Sequence, residues 1–179
     1  MMPTAEPDNL RYQGNIFDRW EIGHRHFFVQ IQNIILAIKD YEHEPSREKI
    51  RTIADLFLGS AAMMQFCADF GDSDYTPVRE SMAAIDKDFS GIFSADHRLM
   101  ITELKKLKKS LPDWDRAHCE LKDAIHVVYA AHAFVCKSFV GDSGSLANNK
   151  TPGHITLMTK FLPQRLRSIG AAGADGKGR

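Results

Sequence analysis

The sequence predicts an all-α helical bundle. Apolar residues recur every three or four positions over long stretches, which is the period of an amphipathic helix. Glycine and proline are gathered in a few short clusters, so the segments between them run uninterrupted. No segment alternates apolar and polar residues as a half-buried strand does. These observations predict four long helices and two short ones, packed as a bundle.

The predicted helices have recognisable boundaries. Apolar residues at helical spacing run from Ile16 to Tyr41, and Pro45 follows that stretch. Ser46, with Glu48 and Lys49 after it, is typical of a helix start. In chain order the predicted helices are 16–41, 46–70, 77–84, 94–110, 114–140 and 154–169.

The segments between the helices are expected to be breaks and loops. The sequence GDSD at 71–74 predicts a break, after which Pro77 lies where the first turn of a helix tolerates proline. Residues 86–91 and the polar stretch 141–153 are expected to be loops. The tail 170–179 has nothing to pack against and is expected to be disordered. The domain prediction is therefore one helical domain over 1–169.

Composition excludes several classes of protein. The chain has 179 residues, with 23 Lys and Arg against 23 Asp and Glu, a balance that argues against general nucleic-acid binding. Its longest nearly apolar run, roughly 13 residues, is too short to span a membrane. The three cysteines form no CxxC pair, and the opening MMPTAEPDNL does not resemble a signal peptide. We therefore expect a cytoplasmic protein that binds neither nucleic acid nor membrane.

Two histidines lie on apolar helix faces. His24 lies between Trp20 and Phe28, and His132 follows Val128 by one turn. A buried histidine must find a polar partner, so each is either a core residue bonded to a carbonyl or hydroxyl, or a ligand. Facing histidines inside a bundle can hold a haem or a metal ion.

The surrounding residues narrow the choice of cofactor. A di-iron site needs carboxylates from four helices, and only Glu21-x-x-His24 has the full Glu-x-x-His pattern. A Cys/His zinc site lacks paired cysteines. Haem requires one axial imidazole and an apolar slot, and a second polar group on the distal side is optional. The residues are therefore compatible with haem, while the di-iron set is incomplete.

The chain resembles the tryptophan 2,3-dioxygenase family, within the haem superfamily that includes indoleamine dioxygenase. That family has Tyr-x-x-aromatic-Arg, then Ser-Gly-Phe-x-Ser, then an Arg on the next helix. The stretches YTPVRESM and FSGIFSADHRLM carry the matching residues in the same order. These residues are Tyr75, Arg79, Ser90, Gly91, Ser94 and Arg98.

Two further segments extend the resemblance over residues 20–165. HRHFFVQIQNIILAI at 24–38 is similar to the helix of the family's distal histidine, and YAAHAFVCKSFVG at 129–141 to the helix of its axial histidine. The resemblance implies haem b, with His132 as the axial ligand of the iron and His24 as a catalytic group on the distal side. It also implies a haem pocket lined by Trp20, Phe28 and Val128.

The resemblance also implies substrate contacts. Arg98 would hold a substrate carboxylate through two parallel hydrogen bonds, although a surface ion pair is the alternative. Ser94, Thr151 and Gly153 would contact the substrate. The family's Gly-Thr-Gly-Gly-Ser loop is replaced here by SLANNKTPG at 145–153, and His97 stands before Arg98. The haem fold can therefore carry over while the substrate differs.

Cys136 lies one turn after His132. Inert packing is the simpler interpretation, because buried free cysteine is common in helices. A thioether bond to haem is the alternative, and resistance of the haem to acid-acetone extraction would support it.

The functional hypothesis is a haem-dependent oxygenase that uses O2 to insert oxygen into the indole ring of tryptophan or a related small aromatic substrate. The first alternative is a haem monooxygenase or peroxygenase acting on an aromatic amino acid. Others are a non-catalytic haem-binding or sensor module, a metal-free helical interaction module, and a non-haem di-iron oxidase. An apolar bundle face predicts a homodimer or homotetramer.

Overall fold

The structure, a computed structural model, describes residues 15–69, 72–85, 94–107, 116–139 and 152–170. Within these ranges every regular element is helical and none is a strand, which confirms the all-α prediction. The elements are α1 (Ile16–His43), α2 (Arg47–Cys67), α3 (Asp72–Ile85), α4 (Ala95–Leu107), α5 (Arg116–Phe139), α6 (Gly153–Thr156), a π-helical turn (Leu157–Phe161) and α7 (Leu162–Ser168).

Local sequence sets the helix ends. The side chain of Asn15 accepts a hydrogen bond from the Phe17 N–H at 3.0 Å and begins α1. The Ser46 hydroxyl accepts from the Lys49 N–H at 3.2 Å, so the predicted start of α2 is confirmed. Gly170 ends the last helix with a φ of 81°, a left-handed conformation that glycine adopts without strain.

One local prediction was wrong. The sequence predicts a break at 71–74 and a helix from residue 77, but α3 begins at Asp72 and carries Pro77 inside it. The last predicted helix, 154–169, is confirmed as helical, with a π-helical turn inside it. Pro163 follows that turn, and a proline cannot donate to the carbonyl four residues earlier and crowds it. A widened turn accommodates the proline without ending the helix.

Side-chain contacts fix the relative directions of the helices. Arg19, near the start of α1, donates to the Phe66 carbonyl near the end of α2, so these two helices run antiparallel. Arg51 and Glu120 form an ion pair at 2.9 Å, so α2 and α5 begin side by side. The C-terminal helical segment runs back along α5, and it ends where His118 Nε2 lies 2.6 Å from the carbonyl oxygen of Ile169.

The apolar core occupies one end of the bundle. It is built mainly from the C-terminal halves of α1 and α4 and the N-terminal halves of α2 and α5, and Leu162 and Ile169 of the C-terminal segment complete it. Its largest buried side chains are Ile31, Ile34, Ile38, Tyr41, Ile50, Ile53, Leu104, Leu107, Leu121 and Ile125. The opposite end, where α1 begins and α5 finishes, carries His24 and His132.

Some predictions fall outside the described residues. These are the loop at 86–91, most of the loop at 141–153, and the tail after Gly170. Among the described helices, none is both long enough and apolar enough to cross a lipid bilayer.

Candidate active site

His24 lies near the start of α1 with its hydrogen bonding fixed by the backbone. Its Nδ1 is 2.8 Å from the Trp20 carbonyl oxygen. A carbonyl only accepts hydrogen bonds, so Nδ1 carries the proton and Nε2 keeps its lone pair. The ring stacks on Trp20 with centroids 4.1 Å apart, and Cys67 Sγ lies 3.8 Å from Nδ1. Burial lowers the pKa of His24, and the Trp20 carbonyl opposes that shift. His24 is therefore a neutral acceptor at neutral pH.

His97 faces inward from the first turn of α4. The Ser94 hydroxyl accepts from the His97 backbone N–H at 3.2 Å and caps this helix. Burial lowers the pKa of the His97 imidazole, and the positive charge of Arg165 lowers it further. The His97 ring is therefore neutral at neutral pH, and it lies close enough to Arg165 for the guanidinium charge to lower its pKa.

His132 lies in the C-terminal half of α5. Burial lowers the pKa of His132 to about 4, and the charges of His97 and then His24 contribute in the same direction. The structure thus brings together three histidines from three helices, including both that the sequence singled out. Within the described ranges, neither ring nitrogen of His132 forms a hydrogen bond. Its lone pair is available to a ligand.

A buried arginine borders the histidine cluster, defined here as His24, His97 and His132. Arg165 of α7 is 8% exposed, and its Nε donates to the Tyr129 hydroxyl at 3.0 Å. Burial raises the pKa of Tyr129, although the Arg165 charge opposes this. Tyr129 precedes His132 by three positions on α5, so the two side chains share a helix face.

The predicted haem-lining residues have different environments. Trp20 is partly buried against His24, as the stacking distance shows. Val128 is buried in the core cluster one turn before His132. Phe28 is 38% exposed, with its ring 6.0 Å from that of Phe27. Trp20 and Val128 therefore border the histidine cluster, and Phe28 lies partly in solvent.

The predicted substrate contacts are less closely grouped. Arg98 is exposed on α4, and Ser94 is a partly buried helix cap. Gly153 begins α6 against α5, where an added Cβ would lie 3.7 Å from Cys136 Sγ. Thr151 lies outside the described residues.

The two cysteines near the histidines are protonated thiols. Burial raises the pKa of Cys67 to about 11, against the opposing charge of Arg19. Burial also raises the pKa of Cys136 to about 11. Neither is a thiolate at neutral pH, so neither is activated as a nucleophile in the structure.

The donor set suits a cofactor that needs one protein ligand. In the part of the chain that is described, no three His, Cys, Asp or Glu side chains are placed to hold a metal ion. The di-iron alternative therefore lacks its ligand set there, whereas a single neutral imidazole is what haem requires. Two open grooves of about 540 and 470 Å³ lie along α2 and α5, and none of the three histidines lines them.

Residues 1–124 match the model of a family described as SfmD 3-methyl-L-tyrosine peroxygenase. The chain belongs to this family. The match spans α1 to α4 and the start of α5, so it includes His24 and His97 but not His132, Cys136 or Arg165. No curated protein and no solved structure matches the chain.

Membership of the SfmD peroxygenase family favours one of the two oxygenase hypotheses over the other. The family is described by a peroxygenase activity on an aromatic amino acid, which agrees with the alternative hypothesis better than with an indole dioxygenase. The relationship to tryptophan 2,3-dioxygenase is not shown.

Sequence reasoning overlooked His97 and Arg165. His97 precedes Met100, Leu104 and Leu107 at helical spacing, the same signal that identified His24 and His132. Arg165 lies between the buried Leu162 and Ile169 on one helix face. The signal that could have identified Arg165 is its position as a charged residue on an apolar helix face.

Proposed function

We propose that this protein is a haem-dependent peroxygenase that hydroxylates the ring of an amino acid of the tyrosine class, with His132 as the protein ligand that would hold the haem iron. The reaction is ArH + H2O2 → ArOH + H2O, so no reductant is required. The observation that carries the proposal is that the neutral imidazole of His132 has no hydrogen-bond partner among the described residues and lies near two other neutral histidines, in a chain of a peroxygenase family.

The fit to haem rests on the state of His132. Protonated imidazole cannot bind iron, and a pKa of about 4 keeps this ring neutral at physiological pH. Bound haem would supply the redox chemistry that splits the peroxide O–O bond and transfers one oxygen atom. The chain supplies the ligand, the apolar surroundings and the groups that move protons.

His24 is the proposed proton acceptor. Its Nδ1 proton is held by the Trp20 carbonyl, so Nε2 can accept a proton from peroxide and later return it. Trp20 stacks on the ring and limits its rotation. His97 offers a second neutral imidazole in the same cluster.

Cys136 determines whether the haem would be bound without a covalent bond, as haem b, or through a thioether. It lies one turn from His132, and its thiol is neutral and half-buried beside Gly153. Addition of the S–H across a haem vinyl group would form a thioether, with no oxidant consumed. Haem b that extracts completely into acid-acetone would exclude this bond, and haem that remains with the polypeptide would support it.

The test compares the wild type with His132→Ala and His126→Ala, all expressed with a haem precursor. His126 is exposed on the same helix and serves as the matched control. We expect a Soret band in the wild type and in His126→Ala, and its loss in His132→Ala. Equal Soret bands in all three proteins would show that His132 is not the ligand, and a colourless wild type would exclude haem.

The reaction is tested with 3-methyl-L-tyrosine and H2O2 under anaerobic conditions. We expect one added oxygen atom in the product, derived from labelled peroxide. A product that appears only with O2 and tryptophan, carrying two oxygen atoms, would instead favour the dioxygenase. A Soret band without any product would favour the non-catalytic haem module.

A further inference from the structure

Among the described residues, the buried Arg165 has no counter-ion. The described part of the chain has two buried arginines, and they differ in their partners. Arg19 donates to the Phe66 carbonyl and pairs with Asp69 at 2.6 Å. Arg165 has only the Tyr129 hydroxyl, a neutral acceptor, and no carboxylate within the described ranges pairs with its guanidinium. Burying an unpaired charge is costly, so such a group normally has an anionic partner.

The position of Arg165 indicates that an anion bound to it would lie beside the histidine cluster. Its helix, α7, packs against α4 and α5, the helices that carry His97 and His132. Its charge acts on His97, and its Nε is held by Tyr129, which shares a helix face with His132. With Nε bonded to Tyr129 and no other partner among the described residues, the Nη groups can bind an anion.

We propose that Arg165, held in place by the Tyr129 hydroxyl, binds a carboxylate of the ligand that occupies the histidine cluster. A guanidinium binds a carboxylate through two parallel hydrogen bonds, which fix orientation as well as position. The inference rests on the proposed function, because both ligands invoked there carry carboxylates. One source is the amino-acid substrate, and the other is a haem propionate.

This assignment differs from the one that the sequence resemblance implies. Arg98 lies on the exposed side of α4, whereas Arg165 is buried beside His97. Arg98→Met is therefore included as the competing assignment. The matched control is Arg167→Met, which removes an exposed arginine from the same helix as Arg165.

The first arm measures substrate binding by titration calorimetry on haem-loaded protein. The probes are 3-methyl-L-tyrosine and the corresponding amine that lacks the carboxylate. If Arg165 binds the substrate, Arg165→Met raises the Kd of the amino acid at least tenfold and leaves that of the amine unchanged. Arg167→Met leaves both Kd values unchanged.

The second arm measures haem binding by titrating apoprotein with haem and with haem dimethyl ester. If Arg165 binds a propionate, Arg165→Met weakens haem binding at least tenfold and leaves binding of the ester unchanged. Selective weakening in either arm supports the proposal and identifies the source of the carboxylate. Overturning results are unchanged carboxylate binding, equal losses for the charged and neutral probes, or a selective loss in Arg98→Met alone.

Two measures keep the outcome interpretable. Circular dichroism checks that each variant is folded, and if Arg165→Met is not, Tyr129→Phe removes only the hydroxyl and should weaken the same ligand several-fold. A wild type that binds no haem would defeat the proposed function alone. The thermal shift of the apoprotein by 3-methyl-L-tyrosine would then still test Arg165, and equal shifts in wild type and Arg165→Met would overturn the inference.

Discussion

At the residue scale, the backbone determines what His24 can do. The Trp20 carbonyl lies four residues earlier, one helical turn away, and accepts the Nδ1 proton. Burial keeps the ring neutral, so the free Nε2 is a base and a hydrogen-bond acceptor. The orientation and tautomer of this residue follow from the local helix alone, so they do not depend on a bound cofactor.

The depressed pKa of His132 predicts a pH-dependent stability. In the unfolded chain this residue takes up a proton as the pH falls through about 6.5, but in the folded chain only near 4. Between these values the unfolded state binds more protons, so acid favours unfolding. The stability from neutral His132 is complete above pH 6.5 and is lost as the pH falls toward 4. For this group alone, the free energy of unfolding should be about 2 kcal/mol lower at pH 5 than at pH 7.

Urea unfolding of protein made without haem precursor measures this difference. His132→Leu should lose the contribution and show a flatter dependence between pH 7 and pH 5. His126→Leu, at an exposed position of the same helix, should retain the wild-type dependence. Identical pH profiles for the wild type and His132→Leu would contradict the assigned burial.

The sequence predicted two members of the histidine cluster, His24 and His132, but neither His97 nor Arg165. His24 and His132 stand out because each interrupts an apolar stripe on a long helix. His97 has the same pattern, but α4 is short and its stripe has only a few buried positions after it. Arg165 could not be assigned from sequence, because its significance depends on which helices pack around it. Periodicity shows which face is buried, but not what a buried charge meets there.

At the element scale, the start of α4 depends on Ser94. Its hydroxyl satisfies the backbone N–H of His97, which would otherwise lack a partner in the first turn. Ser94→Ala should therefore lower the free energy of unfolding by about 1 kcal/mol, as measured by urea unfolding. Ser94→Asp restores a capping oxygen and should be close to the wild type. If Ser94→Ala leaves stability unchanged, the cap contributes nothing.

Close packing between α1 and α2 depends on Gly23. A Cβ at this position would overlap Cys67 Sγ, so Gly23→Ala forces the helices apart or displaces the thiol. We expect a loss of about 1–3 kcal/mol, measured by urea unfolding. Gly59→Ala is the control, because its new Cβ would meet only the flexible Gln30 side chain at 3.4 Å. There the gain in helix propensity should leave stability unchanged or slightly higher.

The overlap between a Cβ at Gly23 and the Cys67 sulfur can also be tested by removing the sulfur. In a Cys67→Ala background, the nearest remaining atom to a Cβ at Gly23 is Phe66 Cδ1 at 3.3 Å. The cost of Gly23→Ala should therefore fall by more than half in that background. Equal costs in the two backgrounds would show that the sulfur is not the obstacle.

The helix boundaries show where sequence signals were sufficient. Ser46 was identified because a side-chain cap is a local feature, and α1 began at the predicted residue. The start of α3 was misjudged because acidic and small residues in GDSD suit both a turn and a first helical turn. The π-helical turn before Pro163 was missed because a widened turn scarcely alters the apolar spacing.

At the scale of the whole molecule, the bundle separates stability from chemistry. The end rich in isoleucine and leucine supplies most of the buried apolar side chains, while the other end holds the histidine cluster and the buried Arg19. Polar groups that are incompletely satisfied weaken a fold, so they are tolerated where the apolar end compensates. The two open grooves along α2 and α5 are likewise separate from the histidine cluster.

The outer face of α1 carries an exposed apolar stripe that predicts self-association. Ile22, Val29 and Leu36 recur at seven-residue spacing on that face, and they are 37%, 51% and 62% exposed. A stripe of this spacing can pack against its own copy about a twofold axis at Val29, with Ile22 of one helix opposite Leu36 of the other. We predict a homodimer, detected by light scattering coupled to size-exclusion chromatography. Val29→Asp should give a monomer, and Phe134→Asp, on the exposed face of α5, should leave the dimer intact. A monomeric wild type at tens of micromolar, or dissociation by Phe134→Asp alone, would show that the α1 stripe is not the interface.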